Sequence, residues 1–106
     1  MDNLVRLAKE RLLRRPVEVD EIALEKARER GAEAQRLIEH PLVIEAFERV
    51  EAAYMRAWRT SAMEEVEKRE RAHDAVLLLT DLKGFLHAVM RDGEGAAELL
   101  RKAAED

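Results

Sequence analysis

A chain of 106 residues with 40% charged and 47% apolar side chains and a net charge of −4 has room for one small domain. It holds no cysteine, which excludes a disulfide framework, thiolate chemistry and the usual structural zinc sites. Glycine and proline are scarce, β-branched residues never alternate over a useful length, and alanine, glutamate, leucine and arginine dominate, so the expected class is all-α.

The charge is uneven along the chain. Residues 1–15 set Arg6, Lys9, Arg11, Arg14 and Arg15 against Asp2 and Glu10, a surplus of +3 that leaves −7 for the remainder. Asp2 or Asn3 is suited to cap a first short helix, Leu4 to about Arg14, with Leu4, Leu7, Ala8 and Leu12 on one face. Its five cations are candidate contacts for nucleic-acid phosphates, without sequence readout, or for an acidic partner. They equally suit the solvated face of an amphipathic helix.

Pro16 lacks an amide donor and pushes Arg15 out of helical dihedrals, so an interruption is expected there. Asp20 caps a second helix running to Glu39, whose apolar side is mostly small: Ile22, Ala23, Ala27, Ala34, Leu37 and Ile38. Gly31 falls in its middle, costs about 1 kcal/mol relative to alanine, and marks a place to bend or break. His40-Pro41 is the clearest boundary, with proline suited to the first helical position and His40 as its cap.

A third helix follows from Leu42 to about Thr60. Ser61-Ala-Met-Glu64 has capping-box spacing and opens a fourth, residues 63–92. Gly93 is placed to end it in a left-handed conformation, leaving a short last helix, Ala96 to Ala104, with Leu99 and Leu100 as its large apolar residues. The chain thus divides into a basic segment 1–15, a helical body 16–93 and a tail 94–106.

Val43, Phe47, Val50, Tyr54, Ala57 and Ser61 step by four and three residues, and Ala72, Val76, Leu79, Leu82 (or Lys83), Leu86 and Val89 continue the rhythm. This heptad-like seam predicts an antiparallel hairpin of 42–60 against 63–92, with Phe47 and Phe85 in its core. Tyr54 and Trp58, one turn apart, either plug its end or anchor a partner. Ile44, Met55, Leu77 and Leu78 lie off the seam and widen the apolar surface beyond one face. A lone hairpin buries too little to offset about 1–2 kcal/mol of entropy per residue, so an oligomeric helical bundle is expected. Its interface or core is Val43, Phe47, Val50, Tyr54, Trp58, Val76, Leu79, Leu82, Leu86 and Val89.

Signals for chemistry are sparse. Glu70-Arg-Ala-His73 has the Glu-x-x-His spacing of carboxylate-bridged metal sites, which Glu48 or Glu51 of the facing helix would have to complete. It sits in a charged run from Glu64 to Arg71, where such a match arises by composition, so Glu70 and His73 read as surface charge and no metal is expected. His40 and His87 have no carboxylate or nucleophile at motif spacing. There is no nucleophile elbow or phosphate loop, and Gly31, Gly84, Gly93 and Gly95 form no cradle, so neither catalysis nor a cofactor is expected. The N-terminus lacks a signal-peptide core and no uncharged run approaches the roughly 20 residues of a membrane span, which predicts a cytoplasmic protein.

The stretch Arg30-Gly-Ala-Glu-Ala-Gln-Arg-Leu-Ile-Glu-His-Pro41, then Glu45-Ala-Phe47, Tyr54-Met-Arg-Ala-Trp58-Arg-Thr60, Arg69-Glu70 and the leucine-rich run to Leu86 and Gly93 resembles small helical proteins of tailed bacteriophages, prophages and gene transfer agents. Among these it is similar to small subunits of the DNA-packaging terminase. The resemblance implies a helical hairpin forming a ring-shaped core, no catalytic residue, DNA contact through residues 1–15 and contact with the large ATPase subunit through the tail from Ala96. Residues 1–15 are shorter than the DNA-binding domain that precedes the core in that family, so only non-specific DNA contact is expected. The leading expectation is a homo-oligomeric packaging adaptor in a bacterial or infected host cell. The alternative is a small acidic phage-encoded inhibitor or regulator of a host protein, and a third reading is a metal-binding four-helix dimer built on Glu70 and His73.

Overall fold

The computed structural model describes residues 2–105, with side chains described from residue 21 onward. It consists of three helices, α1 (Asp2–Glu39), α2 (Pro41–Thr60) and α3 (Val66–Glu105), which pack into an all-α fold.

The joint between α1 and α2 is one residue wide. Pro41 takes the first turn of α2, where a missing amide costs nothing, and the extended His40 caps it by accepting a hydrogen bond from the Leu42 amide on Nδ1 at 3.1 Å. This boundary is the one predicted from His40-Pro41.

Three other expected boundaries move. α1 is one helix where two shorter ones were expected, because a proline inside a helix removes one amide bond and the bonds on either side carry the helix past it. α3 passes through Gly93 without a break, and no described glycine has a positive φ. The separate C-terminal helix is therefore the last turns of α3, and the expected divisions at 15/16 and 93/94 fall inside helices.

The α2–α3 turn also differs from the expected capping box. The Ser61 hydroxyl donates back to the Trp58 carbonyl at 2.7 Å, closing α2 instead of opening α3. One residue further on, the Glu65 carboxylate accepts from the Ala62 amide at 3.0 Å, and α3 begins at Val66. The Arg69 guanidinium then reaches back to the Ala62 and Met63 carbonyls at 2.8 and 3.1 Å. Glu65 does for Ala62 what Glu64 was expected to do for Ser61, one residue later in the chain.

α1 and α2 run end to end along one side of α3, antiparallel to it. As the numbering rises from Gly31 through Phe47 to Ala57, the neighbours on α3 fall from Gly93 through Lys83 to Ala72. The molecule is accordingly long, 75 × 32 × 15 Å, and is a two-stranded slab where α1 and α2 face α3. Its radius of gyration is 22.5 Å, against about 13 Å for a compact domain of this length.

Small residues hold the strands together. Among the described residues the fully enclosed ones are Gly31, Ala34, Ala72, Gly93 and Ala96, and no large side chain is fully buried. Between them the expected heptad seam of α3 is present, resolved at its ambiguous position. Ala72, Val76, Leu79, Lys83, Leu86, Met90, Gly93, Ala97 and Leu100 all turn inward, buried or half-buried. Leu82 does not belong to this seam and is 49% exposed, because Lys83 takes the inward position.

Candidate assembly surface

Lys83 holds that inward place through two contacts with α2. Its ammonium donates to the Glu51 carboxylate at 3.0 Å and stands 5.6 Å from the centre of the Phe47 ring. Both side chains of the pair keep part of their solvent contact, so the ion pair fixes register more than it adds stability. Ile38, Val43, Ile44, Phe47, Leu86 and His87 line a shallow groove beside it at the α1–α2 joint.

The predicted seam residues divide into two groups. Val43, Phe47, Val76, Leu79, Leu86 and Val89 are half-buried between the strands. Val50, Tyr54, Trp58 and Leu82 are exposed, and so is Phe85, at 60%, where a core position was expected. The reason is geometric: a pair of helices has one line of contact, and side chains two or more positions off that line meet solvent. Tyr54 borders a groove with Ala57, Lys68 and Arg71, while Trp58 borders another with Arg69, Glu70 and His73. The pair thus straddles the end of the slab without plugging it.

Glu70 and His73 share the groove beside Trp58, on the surface. Glu51 is engaged by Lys83, ten residues or about 15 Å further along α3, and Glu48 lies in the groove near the joint. Among the described residues no three His, Asp or Glu side chains converge as a metal site would need. Arg6, Lys9, Arg11, Arg14 and Arg15 lie outside the residues whose side chains are described.

Charge on the described surface is arranged locally. Arg49 pairs with Glu45, Lys68 with Glu65, Arg28 with Glu25, and Arg101 with both Glu98 and Glu105, each within one helical turn. The Ala62 amide, then Lys68, hold the Glu65 carboxyl below its ordinary value, and Arg101 does the same to Glu98. Among the described residues no helix is long and apolar enough to cross a membrane.

The surface that remains unexplained is apolar. Leu37, Val50, Leu77, Leu78, Leu82, Phe85 and Leu99 stand exposed along both strands. Leu78, Leu82, Phe85 and Leu99 follow one another along α3 at steps of three, four and multiples of seven, so they form a row and are not single scattered leucines. The sequence signal for them was the off-seam excess noted at Leu77 and Leu78; Phe85 and Leu99 belong to the same excess and were assigned elsewhere. Compared with known proteins, the chain matches no family model, no curated protein and no solved structure.

Proposed function

We propose that this chain is a non-enzymatic assembly protein that works as a homo-oligomer, most concretely a DNA-packaging adaptor of the small-terminase kind. The observation supporting the assembly reading is the slab itself: among the described residues no large side chain is enclosed, and a row of leucines and a phenylalanine is exposed. Such a chain recovers too little apolar burial alone to offset its ordering, and association supplies the remainder. The packaging form rests on the resemblance carried by the stretch from Arg30 to Gly93. In it, residues 1–15 contact DNA phosphates, and the end of α3 from Ala96 is offered to the large motor subunit.

Mass photometry of the full chain, with retention of linear duplex DNA at stepped salt, tests both levels. The expected result is a multiple of the chain mass, together with DNA retention that falls with salt and disappears when residues 1–15 are deleted. A monomer at micromolar concentration overturns the assembly reading. An oligomer that retains no DNA at low salt overturns the packaging form.

A further inference from the structure

α3 carries a second seam, offset from the one that faces α1 and α2. Ala75, Leu78, Leu82, Phe85, Val89, Asp92, Ala96 and Leu99 also step by three and four without interruption. Leu78, Phe85 and Leu99 on it are 62%, 60% and 54% exposed. A helix whose apolar residues repeat in two offset heptad rows is built to pack on two sides, and here the second row is covered at Ala96 and partly at Ala75 and Val89, while Leu78, Leu82, Phe85 and Leu99 stay open.

The other strand presents its apolar residues to the same side. In an antiparallel pair of right-handed helices, positions flanking the contact line in the same sense lie on one face of the pair. By that rule Val43, Ala46, Val50, Ala53 and Ala57 of α2, and Ala23, Ala27, Ala34 and Leu37 of α1, share the face of Leu82 and Phe85. The opposite face carries Glu25, Glu48, His87, Glu94 and Arg101, interrupted by the exposed Ile44 and Leu77, and the grooves agree. Glu48 and His87 line one together, Ala32 and Glu94 line another, and Ala57 opens on the other side with Arg71. Between Ala23 and Leu99 this face holds Arg30 and Asp92 at nearly the same level of the slab, with Lys26 and Glu33 at its α1 margin, so its charges balance.

We propose that this face binds the same face of a second copy, so that the smallest unit of the oligomer is a two-fold dimer with a four-helix cross-section; the inference rests on the homo-oligomer reading. The row from Ala75 to Leu99 is about 36 Å long and two helices are about 20 Å wide, so a facing pair covers about 700 Å² on each protomer and about 1,400 Å² in all. That reaches the roughly 1,200–2,000 Å² of stable protein interfaces. The occupant has to bring a helical pair with matching heptad spacing and no net charge, and a second copy brings both. Two such slabs make the left-handed bundle geometry that four helices adopt, with the charged faces outward.

The test uses the full chain, whose lack of cysteine makes single-cysteine variants unambiguous. Leu78→Cys and Phe85→Cys are expected to cross-link between copies with a short bis-maleimide, and Thr80→Cys and Glu94→Cys are not. Leu82→Glu and Phe85→Glu are expected to weaken self-association by at least about tenfold in sedimentation equilibrium, and Glu94→Lys to leave it unchanged. If the glutamate variants unfold, the cross-linking pattern still decides. An oligomer that cross-links through Thr80 and Glu94, or equally through both faces, overturns this face and leaves the homo-oligomer reading standing. A monomeric wild-type chain, or a chain that associates only with a different protein, overturns both.

Discussion

Gly31 and Gly93 meet backbone to backbone where α1 crosses α3: a Cβ on either would stand 2.6 Å from the Cα of the other. Such a Cβ at Gly93 would also come to 3.0 Å of the Ala27 carbonyl, and one at Gly31 to 3.2 Å of the Val89 carbonyl. The hydrogens that stand there instead point at those carbonyls, which suits weak C–H···O contacts. Ala34 and Ala96 continue the crossing on either side of the glycines, so the two helices approach more closely than side chains of ordinary size allow.

That approach sets the sign of four glycine substitutions. Gly31→Ala and Gly93→Ala gain about 1 kcal/mol of helix propensity and lose about 1–3 kcal/mol to overpacking against backbone that has nowhere to go. Both are expected to lower the thermal midpoint. Gly84→Ala and Gly95→Ala meet nothing within 4 Å and are expected to stabilise by up to about 1 kcal/mol. Circular-dichroism melts of the four variants check the contrast; a stabilised Gly93→Ala would refute the tight crossing.

His40 is an N-cap through a ring nitrogen, an acceptor less common in that place than a carboxylate or hydroxyl. Replacement by alanine is expected to cost about 0.5–1 kcal/mol, whereas aspartate keeps the acceptor and adds a favourable charge at the helix N-terminus. Urea unfolding at neutral pH should rank aspartate at or above histidine and alanine below it.

The Glu65 turn makes a pH prediction. Its carboxyl is held below the ordinary value of 4.5, first by the Ala62 amide and then by Lys68. A depressed folded value means that its contribution is fully present above the unfolded pKa and is lost as pH falls through the lower folded one. Glu65→Gln should therefore unfold at lower urea than wild type at pH 7, and the gap should close in acid once the native carboxyl is protonated. A gap that persists there would assign the effect to something other than the charge.

The Lys83–Glu51 pair is the described ion pair that joins two helices. A double-mutant cycle with Lys83→Ala and Glu51→Ala should give a coupling of at most about 1 kcal/mol, shrinking as salt rises. Lys83→Leu, which continues the seam with an apolar residue, is expected to unfold at the same urea concentration or higher.

What local chemistry determines is legible in the sequence. The boundary at His40-Pro41 is written in two adjacent residues, and the heptad rhythm through Val76, Leu79 and Leu86 needs only one helix to be seen. Gly93 shows where such reading stops: glycine after a helical run looks like a terminator, and its use for close approach becomes visible only with Gly31 opposite it. Leu82 against Lys83 is the same lesson at one step of register, since both fit the spacing and the contact with Glu51 and Phe47 decides. The apolar surplus on α3 was legible as an excess at Leu77 and Leu78, but only Leu78 gathers onto one face with Phe85, Val50 and Leu37, a grouping that depends on α1 and α2 lying end to end; Leu77 stands on the other side of α3. As for the candidate surface, an apolar excess was readable from the sequence and its outline was not.

The end-to-end arrangement also has a mechanical side. At the level of His40 the first strand is interrupted and α3 alone carries a continuous helical rod, in the region of Leu86 and Val89. Force or bending applied between the two ends of the 75 Å molecule therefore passes through that one stretch. α3 is a splint across a jointed limb, and the angle between the α1 half and the α2 half changes only as far as this splint will bend.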